Sequence, residues 1–106
     1  MSDPLTVLVI YRPKAGTEAQ FEPLLAKHWP ALKQLGLVTD TPPKFWRGSD
    51  KRADRKVFVE LFQWRDAEAP GIAHQTPEVM AVWEPMGPIL EEMQILHVEP
   101  VSFGTV

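Results

Sequence analysis

Three histidines, one glutamate placed in a strand and four tryptophans are the side chains of this 106-residue sequence best suited to chemistry. His74 opens the stretch HQTPEVMAVWEPM, just ahead of Thr76 and Pro77. An imidazole there can exchange a proton near neutrality, because its unperturbed pKa is about 6.5. In the same position it can instead bond local backbone and close the turn before a helix, so both roles stand open. His28 falls on an apolar helical stripe, where a core histidine satisfied by a neighbour is expected. Glu60 and His97 each lie among apolar strand residues, and buried charges need partners. If their strands place them on the same face, Glu60 and His97 can bridge directly or across two copies. Trp29, Trp46, Trp64 and Trp83 can box a flat ligand or serve as core and interface mass.

Other chemistries lack their residues. The chain has no cysteine, which removes disulfides, thiolate nucleophiles and zinc-thiolate sites. His28, His74 and His97 show no spacing of the H-E-x-x-H kind, so no metal site is expected. No Gly-rich phosphate loop, nucleophile elbow or dinucleotide fingerprint appears. A net charge of −3 argues against nucleic acid, whose phosphates reward positive charge. KVFVELF does set Phe58 and Phe62 on one strand face, as RNA-binding βαββαβ domains do, but the glycine that accompanies such aromatics is missing. DKRADRK mixes bases with two aspartates and suits a solvated hairpin tip. The longest apolar run, Val7 to Tyr11, is far short of the ~20 residues of a spanning helix. MSDPLTVLVIYRP has neither a basic leader nor a small-residue cleavage site. A cytoplasmic protein bound to a small molecule, with no membrane and no nucleic-acid partner, is expected.

The elements that must position these residues follow from pattern. With 44% hydrophobic and 24% charged residues, residues 1–106 suit one globular domain. Leu5 to Tyr11 is apolar on both faces, as in a central covered strand, and Pro13 ends it. Thr17 and Gln20 form a capping box, after which Phe21, Leu24, Leu25, His28, Leu32 and Leu35 follow at helical spacing and Gly36 supplies a left-handed stop. Pro23 and Pro30 fall on the side opposite the Phe21/Leu25/Leu32 stripe and give a helix curved around a sheet. PPKFWRG is a short strand that its prolines confine to an edge. Lys56 to Trp64 carries Val57, Val59 and Leu61 on one face and Phe58, Glu60, Phe62 and Trp64 on the other. RDAEAPG is a loop, Thr76 and Pro77 start a second helix with the stripe Val79, Trp83, Met86, Leu90, Met93, and Gln94 to Val101 is the last strand.

The order βαββαβ specifies an α+β, ferredoxin-like fold: an antiparallel four-stranded sheet with both helices on one face. The other face is then bare. Assigned to it, Phe58, Phe62 and Trp64 make an apolar patch that a second copy of the chain must cover.

Trp64, Asp66, His74, Thr76 and Pro77 in WRDAEAPGIAHQTPEV, set in this topology, resemble the dimeric α+β barrel superfamily, and most nearly its antibiotic biosynthesis monooxygenase branch. That branch often has an acid two residues before the aromatic; this chain has Phe62 there, with Glu60 the nearest acid on the same face. The haem-degrading relatives carry an axial histidine in the second helix, where this chain has Trp83. The resemblance implies a homodimer that binds an aromatic or quinol-like molecule between helices and sheet and works as a monooxygenase without cofactor. His74 is then the catalytic base, with Trp64, Trp83, Glu60 and His28 around the substrate. The alternative is a non-catalytic ligand-binding or assembly module on the same scaffold.

Overall fold

The computed structural model describes residues 3–52 and 54–104. Leu5–Pro13 forms strand β1, in the middle of the sheet as its doubly apolar sequence requires. Helix α1 spans Glu18–Gln34, β2 Lys44–Asp50, β3 Arg55–Trp64, α2 Ala69–His74, α3 Pro77–Met86 and β4 Leu90–His97, with a single 3-10 turn, Gly87–Ile89, between the last two. The strand order is β2-β3-β1-β4 and every pairing is antiparallel. This is the expected ferredoxin-like α+β arrangement, with one short helix more.

Register settles which face the helices cover. Val7 pairs with Phe62, Val9 with Glu60 and Tyr11 with Phe58, so these six side chains share one face, and all are buried. Phe21 of α1 meets that face, its ring centroid 5.0 Å from Tyr11 and 5.3 Å from Phe58. Phe58, Phe62 and Trp64 therefore lie beneath the helices rather than on the bare face. Alternation along β3 could not decide this, because both of its faces are apolar; the bulkier set fills the deeper space under α1 and α3.

The bare face instead carries Leu8, Ile10, Val57, Val59 and Leu61, half-buried, with Trp46 and Leu96 about half exposed. It is still an apolar stripe. An Arg12–Asp50 ion pair at 2.8 Å bounds it at one end, and Thr39, Thr6 and Gln63, linked by hydrogen bonds, bound it at the other.

Several boundaries move for local reasons. Gly36 has the left-handed φ of 71° that the helix stop needs, and Pro23 and Pro30 are exposed on the outer side of α1. The capping box does not form: the Thr17 hydroxyl donates to the Lys14 carbonyl at 2.6 Å rather than accepting from the helix. Thr76 stands at the cap position before α3 with extended backbone, yet its hydroxyl donates back to the Ile72 carbonyl at 2.7 Å and closes α2. That α2 occupies a segment read as loop. Asp66 starts it, accepting the N–H groups of Glu68 and Ala69 at 3.0 Å each. α3 ends at Met86, so Leu90 and Met93 belong to β4, which begins at Leu90 and not at Gln94. The Lys14 N–H donates to Ile89 at 2.8 Å, fixing the start of β4 beside the end of β1.

Candidate functional site

A cavity of about 480 Å³ lies between α3 and the β1–β4 half of the sheet, within the usual range for small-molecule sites. Its floor is the helix-side parity of the strands: Val7, Val9 and Tyr11 from β1, Phe62 and Trp64 from β3, and Met93, Ile95 and His97 from β4, which register opposite Tyr11, Val9 and Val7. α3 supplies Trp83, Met80 and Met86, α2 supplies His74, and α1 supplies His28. All three histidines of the chain thus meet one cavity, although they come from α1, α2 and β4. No lysine or arginine lines it.

The inner wall is built on a buried carboxylate. Glu60 is 0% exposed and receives the Tyr11 hydroxyl at 2.6 Å. His28, 3% exposed, sets its Nδ1 at 2.9 and 3.0 Å from the two Glu60 oxygens. Burial pushes the Tyr11 hydroxyl far above its usual range, and the Glu60 charge and hydrogen bond push it further. Tyr11 is accordingly a fixed donor, and Glu60 offers His28 an acceptor. Against a carboxylate Nδ1 is the donor of this contact, and in the Nδ1–H tautomer Nε2 is an acceptor. That Nε2 is buried without a hydrogen-bond partner. The ring sits among two cavity walls, edge-on to Phe62 at 5.6 Å and tilted against Trp83 at 5.9 Å.

The outer part is different. His74, the last residue of α2, is exposed and tilts against Trp83 with ring centroids 4.8 Å apart. His97 is exposed at the β4 edge. Within the chain Glu60 and His97 do not bridge. Both share the helix-side face, but β1 stands between them, Val9 opposite Glu60 and Val7 opposite His97.

Of the expected site residues, Trp64, Trp83, His28 and His74 line the cavity, and Glu60 stands behind its wall, holding His28. The four tryptophans do not form a box. Trp46 is on the opposite face of the sheet, and Trp29 of α1 is not among the lining residues. Tyr11 and the three methionines Met80, Met86 and Met93 were not singled out from sequence. Tyr11 shares the parity of Val7 and Val9, which was the available signal. Asp66 does structural work: Arg65 beside it, together with the N–H groups of Glu68 and Ala69, holds its carboxyl below the usual range. Among the described residues no group of histidines and carboxylates is placed to hold a metal ion.

No known sequence family matches this chain, and no curated protein does. Solved structures do. SnoaB of Streptomyces nogalater, described as a cofactor-independent oxygenase, aligns with a TM-score of 0.69 at 17% identity over 94% of this chain and 97% of its own. A Bacteroides thetaiotaomicron protein assigned provisionally to the antibiotic biosynthesis monooxygenases gives 0.70 at 13% identity over 98% and 95%. A NIPSNAP family protein of Agrobacterium tumefaciens gives 0.66 at 14% identity over 98% and 91%. Identities this low speak of architecture, and one architecture hosts many activities. The chain has the α+β fold of the antibiotic biosynthesis monooxygenase-like proteins.

Proposed function

We propose that this protein binds a flat aromatic, quinol-like molecule in the cavity and oxygenates it with dioxygen, as a cytoplasmic homodimer that needs neither metal nor flavin. The observation that carries this reading is the cavity itself. Its walls are aromatic, thioether and aliphatic side chains, and its few polar side chains are three imidazoles, two indoles, Tyr11 and Glu84. Such walls accept a ring system by its faces, and thioethers adapt to its outline. Trp64 and Trp83 are the walls for those faces, and His74 is a hydrogen-bonding group for the outer edge of the ligand.

The chemistry needs little from the protein. Loss of a proton from an activated C–H leaves a carbanion, which passes one electron to dioxygen. The substrate radical and superoxide join through a new C–O bond to a peroxide anion, which takes the proton back from the acceptor; the hydroperoxide then loses water, using the second hydrogen of the same carbon, to give the ketone. Desolvation, orientation and a proton acceptor are what the cavity contributes.

The homodimer is supported by the bare apolar stripe around Ile10 and Val59, framed by polar groups as interfaces are. The test is native mass spectrometry of freshly purified protein, followed by oxygen uptake with an anthrone- or quinol-type substrate. Dimeric mass, a retained aromatic and stoichiometric oxygen uptake are expected. Tight binding without oxygen uptake would make the protein a non-catalytic binding module.

A further inference from the structure

We infer that His28, through Nε2, is the proton acceptor of the cavity, with Glu60 positioning the ring and Tyr11 positioning Glu60. The inference deepens the oxygenase reading and rests on it for the kind of substrate, but its core is a property of the empty site. His28 has Nδ1 tied to Glu60 and Nε2 bare inside the protein. A buried nitrogen without a partner destabilises a fold, and such groups in native proteins call for an explanation. The ring lines the cavity, so a ligand hydroxyl or acidic C–H that displaces the groups closing over Nε2 supplies the missing partner here.

The groups around the ring set what it can do. The sheet presents Glu60 and Tyr11, with Phe62 edge-on, and α3 presents Trp83. Among the described residues no lysine or arginine lines the cavity. When a substrate O–H or C–H bond breaks toward His28, the electron pair stays on the substrate and the proton joins Nε2. The resulting imidazolium is paired with Glu60 on one side and with the new substrate anion on the other. Tyr11 keeps its proton and holds Glu60 in place. This is the carboxylate-oriented imidazole used for proton abstraction on unrelated folds. His74 lacks that preparation: it is exposed, and no hydrogen bond among the described residues fixes its ring.

Two measurements test this. Nitrogen-detected NMR of the ligand-free protein at neutral pH should find His28 as the Nδ1–H tautomer with a bare Nε2. The opposite tautomer would overturn the inference whether or not any substrate is ever found. The second uses a hydroxyanthraquinone, whose visible absorption reports its ionisation. Bound to the wild type it should ionise at least about one pH unit lower than in solution. H28Q should abolish that shift, E60Q should remove most of it and Y11F part of it, while H74Q weakens binding but leaves the ionisation midpoint of the bound dye unmoved. A shift that survives H28Q and is lost in H74Q would overturn the inference. Should H28Q not fold, Y11F and E60Q retain the ring, and an unchanged midpoint in both would overturn the positioning roles. A dye that fails to bind counts against the cavity reading alone, and the tautomer then decides for or against His28.

Discussion

Trp83 stands against His74 with ring centroids 4.8 Å apart and planes tilted by 59°. The contact joins the end of α2 to the middle of α3 and makes the outer rim of the cavity. The same indole also lies 5.9 Å from the His28 ring at the inner wall. One half-buried tryptophan thus meets both an exposed imidazole and a buried one.

Replacing that indole should be felt in both stability and binding. W83A removes a large side chain packed against the core and should cost about 2 to 3 kcal/mol, below the full range for a wholly buried tryptophan. Urea unfolding should show a lower midpoint with an unchanged slope. W83F, which keeps a ring in place, should lose less than about 1.5 kcal/mol. Equal midpoints for wild type and W83A would remove the packing role.

Glu60 gives a sharper contrast. Its oxygens receive two donors, from Tyr11 and His28, in a site closed to water. E60Q keeps the shape but offers one acceptor oxygen and an N–H where both donors converge. A loss of about 3 kcal/mol is expected, as when one partner of a buried pair is removed. Chemical unfolding at neutral pH measures it. A loss below about 1 kcal/mol would mean that the two donors find other acceptors.

How much of this was legible in the sequence depends on whether one strand or several must be known. VLVIY named the central strand by itself, the paired prolines placed β2 at an edge, and Gly36 stopped α1, because each signal is local. The stripe of α1 likewise placed His28 toward the core. The partner of Glu60 was not legible, since it depends on register between strands and on which face α1 covers. With Val57, Val59 and Leu61 on one side of β3 and Phe58, Phe62 and Trp64 on the other, alternation gave two equal answers. The Glu60–His97 pairing failed for the same reason: parity was right, but β1 lay between.

Tyr11 makes stability fall at alkaline pH. Below its ordinary value near 10 both folded and unfolded chains hold the phenolic proton, so the group adds no slope. Above that value the unfolded chain releases the proton while the folded chain, whose hydroxyl is pushed higher by burial, retains it. Stability should then drop by up to about 1.4 kcal/mol per pH unit from this group. Tyr11 is the only tyrosine, so tyrosinate absorbance reports it directly and should appear together with unfolding. Y11F should flatten the alkaline limb. Tyrosinate absorbance in the still-folded protein would show the hydroxyl to be accessible.

Asp66 acts at the acid end. Arg65 and two backbone N–H groups hold its carboxyl low, so its support of α2 is complete above the ordinary carboxylate value and is lost as pH falls through the lowered one. D66A should remove that support at every pH. Amide exchange should therefore quicken in α2, which carries His74, while the amides of β1 stay protected. Equal exchange in wild type and D66A would assign the start of α2 to another contact.

The bare face of the sheet is tested at Ile10. Ile10 registers against Val59 on one side and Gln94 on the other, and Val59 in turn against Trp46, which puts it in the middle of the apolar stripe. A carboxylate there remains half-solvated in a single copy but becomes buried and unpaired when a second sheet packs over it. I10E should raise the dissociation constant of the homodimer by at least about 100-fold, which corresponds to roughly 2.7 kcal/mol. Sedimentation should find wild-type dimers and I10E monomers at the same concentration, with similar circular dichroism. The cavity lies on the opposite face, against Val9 and Tyr11, so the monomer should still bind a hydroxyanthraquinone. Wild-type protein that stays monomeric at high concentration would leave the stripe exposed and defeat the homodimer.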